Sequence, residues 1–410
     1  MRHTLISLGI LTLLAGGASA APTSTVTALV EDDGAGAAGL PDQIGDFTNA
    51  TDSDPNSLAR LTSGTYVYFE AEDAGGIDPT RSDAITLFNP SLSGTARFTV
   101  IGTDASISAV SGLGAIALGC EDLAVDRDTD DVYGLMTNTT PNPDNIFIIR
   151  IPSLGVGTDT FGPPELFASN AVVGDRNGAG AIEISRVPNP NELIIVHDTQ
   201  TTTNDNTTNI VARRPVTAAS NDPHAQTWTF ATVAAGTTPA SSFVGGDLIG
   251  FTDLAILPDG DYILHNSFGD TTPSGGPGST DGDIVRWDPG SSTASLWLEG
   301  NAVGNATQRA PMATLSNGDI ALWLFDTPNA PLTRDIVRFD SAGVLRRIVA
   351  TQAQTVAAVS TPPAQLAQIG NAFATDGGLE FAVFHNADPE TLIEVVDTDV
   401  PVELSVFRAD

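Results

Sequence analysis

The stretch Asp253-Leu-Ala-Ile-Leu-Pro-Asp-Gly-Asp-Tyr-Ile-Leu-His265-Asn266 decides how this chain is read. Two apolar runs flank a Pro-Asp-Gly-Asp turn, which is the pattern of two antiparallel strands joined by a tight hairpin. A loop follows, then a third apolar run, Asp283-Ile-Val-Arg-Trp-Asp288, and a fourth, Ala294-Ser-Leu-Trp-Leu298. One unit of the chain therefore holds four short strands.

The unit recurs. Its hairpin is repeated in Leu61-Thr-Ser-Gly-Thr-Tyr-Val-Tyr-Phe69, Asp122-Leu-Ala-Val-Asp-Arg-Asp-Thr-Asp-Asp-Val-Tyr133 and Glu183-Ile-Ser-Arg-Val-Pro-Asn-Pro-Asn-Glu-Leu-Ile-Ile-Val-His197. Two later copies are Leu315-Ser-Asn-Gly-Asp-Ile-Ala-Leu-Trp323 and Ala374-Thr-Asp-Gly-Gly-Leu-Glu-Phe-Ala-Val-Phe-His385. The third strand returns almost unchanged as Asp335-Ile-Val-Arg-Phe-Asp340. Four-stranded units at this spacing are propeller blades. The expectation is an all-β chain: a six-bladed β-propeller of four-stranded antiparallel blades over 56–410, with units starting near residues 57, 122, 183, 253, 311 and 373. No sustained helical period competes, although 353–370 has room for one helical turn. The segment 21–55 precedes the ring, and Ser24-Thr-Val-Thr-Ala-Leu-Val30 is placed to add a strand to the last blade and close it.

In such a ring the first strand of each unit lines the channel, and its start shares a face with the loop after the second strand. First-strand starts then bring Glu121, Asp122, Glu183 and Asp253 to one rim. Second-strand ends bring His197, His265 and His385 to the same rim, three of the four histidines that follow residue 20. As function, three imidazoles with carboxylates suit a transition metal such as zinc, or general-base catalysis; carboxylates alone suit calcium, the preferred cofactor expectation. As structure, His-Asn and His-Asp at a strand end cap the following loop through the backbone. The hairpin turn carrying Asp126, Asp128 and Asp130 has the alternating spacing of a calcium loop, without its glycine or distal glutamate. Cys120, the single cysteine, reads either as a buried small apolar residue or as a ligand or nucleophile near His197.

Composition narrows the classes. Fifty acidic residues face 17 basic ones, all Arg, for a net charge of −33. That surface repels nucleic acid and anionic membranes, and suits a salt-rich exterior where ions screen its self-repulsion. Met1-Arg2-His3, an apolar run from Leu5 to Ala15 and a small-residue ending at Ala20 make residues 1–20 a secretory signal peptide, too short to span a bilayer. A secreted or periplasmic monomer follows as the expectation, with a small-molecule or protein ligand, no nucleic acid and no membrane insertion. No phosphate loop, dinucleotide fingerprint or Gly-x-Ser-x-Gly elbow is present.

Asp253-Leu-Ala-Ile-Leu-Pro-Asp-Gly and Asp283-Ile-Val-Arg-Trp-Asp resemble the six-bladed propeller superfamily of gluconolactonase-like, NHL-like and TolB-like proteins. Glu121-Asp122-Leu-Ala-Val-Asp resembles the first strand of exported esterase-like or phytase-like propellers. The gluconolactonase resemblance implies a divalent metal held in the channel, with Glu183, Asp253 and Glu121 or Asp122 as ligands. That family's Glu-Gly-Pro and Pro-Asn-Gly segments are absent here. Peptidyl-hydroxyglycine lyase propellers use His ligands from several blades, which His197, His265 and His385 resemble in kind. Three readings stand: an extracytoplasmic binding or surface-interaction propeller, a metal-dependent hydrolase or lactonase working at the funnel, and a lyase or oxidoreductase with a His-bound metal.

Overall fold

The structure is a computed structural model. It describes residues 24–31, 58–70, 83–114, 116, 118–138, 144–173, 175–176, 180–185, 192–198, 209–216, 222–233, 251–266, 284–298, 312–315, 317–323, 335–358, 368–374, 380–386 and 391–397. The expected signal peptide and the Gly/Ser-rich loop after His265 lie outside these residues.

The strands form sheets in chain order, all with antiparallel pairing. Sheet 1 holds Leu58–Arg60, Tyr66–Glu70, Ala84–Phe88 and Phe98–Gly102. Sheet 2 begins with Leu118–Asp126, Asp131–Asn138 and Asp144–Ile151. Sheet 3 holds Gly180–Ser185, Glu192–Asp198, Asn209–Pro215 and Thr229–Val233. Sheet 4 holds Phe251–Ile256, Tyr262–Asn266, Ile284–Asp288 and Thr293–Leu298. Sheet 5 holds Met312–Thr314, Ile320–Trp323, Ile336–Phe339 and Leu345–Ala350. Sheet 6 holds Gln368–Ala374, Glu380–Asn386 and Thr391–Val396, and its outer strand is the N-terminal Thr25–Glu31.

This is an all-β propeller, but the expectation of six four-stranded blades needs correction: five sheets are four-stranded and sheet 2 has five strands. The outer edge of Asp144–Ile151 is shared between two short segments. Glu165–Ala168 pairs with its Ile148–Arg150 end, and Asp175–Arg176 pairs with Asn145 and Asp144. Between them the chain leaves the edge through a short helix, Asn170–Val173, which tucks Val173 into the core. Two further helices, Asp104–Ser111 and Gln352–Ala358, follow outer strands. The second falls where the sequence left room for a helical turn. The first was not expected, although Thr103 and Ser106 form a reciprocal capping box at its start.

The hairpin turns follow from local chemistry. Gly260 (φ +92°) and Gly318 (φ +83°) take left-handed backbone at the Asp-Gly and Asn-Gly turns, and each donates its N–H to the carbonyl of Leu257 or Leu315.

The inner strands of sheets 1 to 6 touch in sequence, and the sixth touches the first. Apolar clusters fill the seams. Ala255, Ile263 and Ile284 of sheet 4 meet Met312, Leu322 and Phe339 of sheet 5. Ala124, Leu135 and Ile148 of sheet 2 meet Ile182, Leu193 and Ile195 of sheet 3. Val30 and Leu392 of sheet 6 meet Leu58, Tyr66 and Tyr68 of sheet 1. Each wholly buried aliphatic side chain contributes about 1.5–3 kcal/mol, so the seams carry the stability of a chain with no disulfide.

Candidate functional site

The candidate site lies on the inner strands of sheets 2, 3 and 4. These strands start earlier than the apolar pattern suggested, at Leu118, Gly180 and Phe251. Asp122 and Glu183 therefore sit within their strands. The upstream residues, Leu118-Gly-Cys120 and Gly180-Ala-Ile182, pair with Asn138–Met136 and His197–Ile195 and extend the ladders. A register shift between Cys120 and Asp122, and another between Phe251 and Asp253, bends the two strands just before their aspartates.

Asp122 and Asp253 share one geometry. Each accepts the N–H of its own successor: Leu123 at 2.8 Å and Leu254 at 2.7 Å. Each then crosses a seam to accept an N–H from the inner strand of the next sheet. Asp122 takes Ile182 of sheet 3 at 2.9 Å, and Asp253 takes Met312 of sheet 5 at 2.7 Å. Glu183 begins the same pattern with Ile184 N–H at 3.0 Å. The seam after Asp253 is fastened lower down as well, where Thr314 Oγ1 accepts from Ile256 N–H and donates to Ile256 C=O. Two of the four carboxylates expected at the rim, Asp122 and Asp253, thus fasten one sheet to the next.

Their electrostatics are strained. Glu121, Asp122 and Asp253 are all buried. Burial pushes the Asp122 carboxyl well above the ordinary aspartate range; the charge of Asp253 adds to this and that of Glu183 contributes less, against the lowering effect of the two amide bonds. Asp122 thus senses the charges of Asp253 in sheet 4 and Glu183 in sheet 3.

Of the histidines, His265 is wholly buried, directly opposite Asp253 in the ladder and one strand in from Ile284. Directly paired residues face the same side of a sheet, so His265 shares the sheet 4–5 seam with Asp253. His197 and His385 pair with Gly180 and Ile369 near the starts of their inner strands, and their side chains lie outside the described residues. Among the described residues, no group of three or more His, Cys, Asp or Glu side chains is arranged to hold a metal ion. Cys120 is buried, with Sγ 3.6 Å from the Asp122 carbonyl.

Three carboxylates of the Asp126–Asp131 turn accept protein donors. Asp126 accepts Asp128 N–H at 3.0 Å. Asp130, in left-handed backbone at φ +59°, accepts the N–H and hydroxyl of Thr62 in sheet 1, and Gly157 N–H. Asp131 takes Arg150 and Ser153 N–H. Sequence reasoning missed Asp159, which reaches back to Ser63, Thr65 and Asn89 of sheet 1. Nothing in its local motif signals that role.

Comparison with solved structures finds 129 similar chains, among them three that span most of this one. One is a protein of unknown function from Bacteroides thetaiotaomicron (TM-score 0.48, 11% identity, covering 91% of this chain and 76% of that one). The second is a Hadza microbial sialidase (0.48, 11%, 87% and 69%). The third is an α-L-arabinanase of Penicillium chrysogenum complexed with arabinobiose (0.45, 12%, 92% and 99%). At such values these likenesses carry no argument about activity. No protein-family model matches the chain. No curated protein matches it either.

Proposed function

We propose that the six sheets act as six blades of one ring, and that the chain is an exported binding or surface-interaction protein of a secreted or periplasmic compartment. The observation that supports this reading is the engagement of Asp122 and Asp253 with backbone amides across the seams, with His265 buried opposite Asp253. A hydrolytic centre needs its carboxylates and imidazoles free to meet substrate or metal; these acids are already used to join sheets. The charge of −33 favours a cationic or neutral ligand and a salt-rich medium.

One observation favours an enzyme instead. A carboxyl that holds its proton above the ordinary range is a feature general acid–base chemistry uses, and Asp122, raised by burial and then by the charge of Asp253, has it. That second reading is a metal-dependent hydrolase or lactonase.

Plasma mass spectrometry of the purified protein and of His265→Ala separates the two. The binding reading expects no stoichiometric zinc, manganese or iron in either. Near-stoichiometric transition metal that disappears in His265→Ala would overturn it in favour of the hydrolase. Calcium retained equally by both would keep the binding reading and place a calcium ion among the carboxylates.

A further inference from the structure

Sheet 6 is built from the two ends of the chain: Thr25 pairs with Val396, so Ser24 and Asp397 stand side by side at one end of the closing strands. Among the described residues no other strand pairing joins residues so distant in sequence, and closing so long a loop costs chain entropy that local hairpins do not meet. The apolar seam there is helped by charge. The Asp397 carboxylate, with no solvent exposure, receives two guanidinium groups from sheet 5: Arg338 at 2.8 Å on Oδ2 and Arg347 at 3.0 Å on Oδ1. Arg347 also reaches Ser24 Oγ at 3.4 Å, and Arg338 lies 3.1 Å from Asp319 in its own sheet.

We propose that Arg338, Arg347 and Asp397 form a latch that holds both ends of the chain in the ring. A carboxylate is tolerated in a site without water only when opposite charge and hydrogen bonds replace its hydration. Each arginine therefore strengthens the docking of Asp397, and loss of its carboxylate charge removes both contacts at once. Arg347 bridges the residue before the first strand and the residue that follows the last, so docking of one end favours docking of the other. Sheet 6 is then the unit that closes last and opens first, with Thr25–Glu31 and Thr391–Val396 released together.

Hydrogen exchange of the full chain tests this. In Asp397→Asn, amides of 25–31 and 391–396 should exchange on the order of a hundredfold faster, while those of 118–138 keep their protection. Arg347→Gln leaves Arg338 on Asp397, and should give the same pattern at roughly tenfold; it serves where Asp397→Asn does not accumulate. Uniform acceleration across all sheets, or unchanged protection in the two closing strands, would overturn the latch.

Discussion

Aspartate does opposite work at the two ends of the sheets. On the inner strands, Asp122 and Asp253 accept backbone N–H groups and join one sheet to the next, with other acids for neighbours. At the hairpin turns of sheets 4 and 5, Asp261 and Asp319 face the third-strand arginines, Arg286 and Arg338. The first pair suffers burial and like charge; the second enjoys an opposite charge and partial exposure. The difference teaches that in this acidic chain a carboxylate's role is set by what surrounds it, and that the ring is fastened where its acids are least comfortable.

The largest effect should come from breaking an inner fastener. Asp253→Ala leaves the N–H groups of Leu254 and Met312 without their carboxylate acceptor in a buried seam. Each orphaned donor costs about 1–3 kcal/mol, so a loss of about 3 kcal/mol is expected in chemical denaturation. A change below about 0.5 kcal/mol, the usual range for a surface position, would show that Asp253 does not fasten the seam.

The next effect is in pH. The folded-state pKa of Asp122 is raised, chiefly by burial and then by Asp253. The folded protein therefore holds this proton more tightly than the unfolded chain. The resulting stabilisation is complete below the ordinary aspartate range and is lost as pH rises from there through the raised value. Asp122→Asn removes the titration, so its stability should depend less steeply on pH above the ordinary aspartate range than the parent's. Parallel curves would sink the assignment, whatever offset the lost hydrogen bonding adds.

Much of the ring was legible because its cause is local: alternating apolar runs and Asp/Asn-Gly turns fix hairpins wherever they occur, and Asp283–Asp288 and Asp335–Asp340 repeat nearly letter for letter. The split edge of sheet 2 was not legible, since two residues at 175–176 make no pattern. Nor was the role of the inner aspartates. A metal ligand and an amide acceptor ask for the same residue type, and the amides that these aspartates meet lie far away in sequence. A usable signal did exist: Asp122 and Asp253 each precede a Leu-Ala pair in an inner strand, which marks a repeated structural position. Asp397 and Arg347 had no such signal, because the contact joins sheet 5 to the residue after the last strand of sheet 6.

The smallest effect belongs to the turn end, where the third-strand arginine meets its hairpin. Arg286 reaches Asp261 and Asp259 at 2.5 Å each and donates to the Ser341 carbonyl of sheet 5 at 3.1 Å. Its side chain is 29% exposed and that of Asp259 52%, so water and salt screen much of the attraction. A double-mutant cycle of Arg286→Gln with Asp261→Asn should give a coupling of about 0.5–1 kcal/mol, shrinking as salt is raised. Arg338 with Asp319 occupies the same repeat position, but its side chain is only 9% exposed and it also holds Asp397. The same cycle there should give a larger coupling that salt alters less. Equal couplings at the two positions would mean that burial does not separate these arginines.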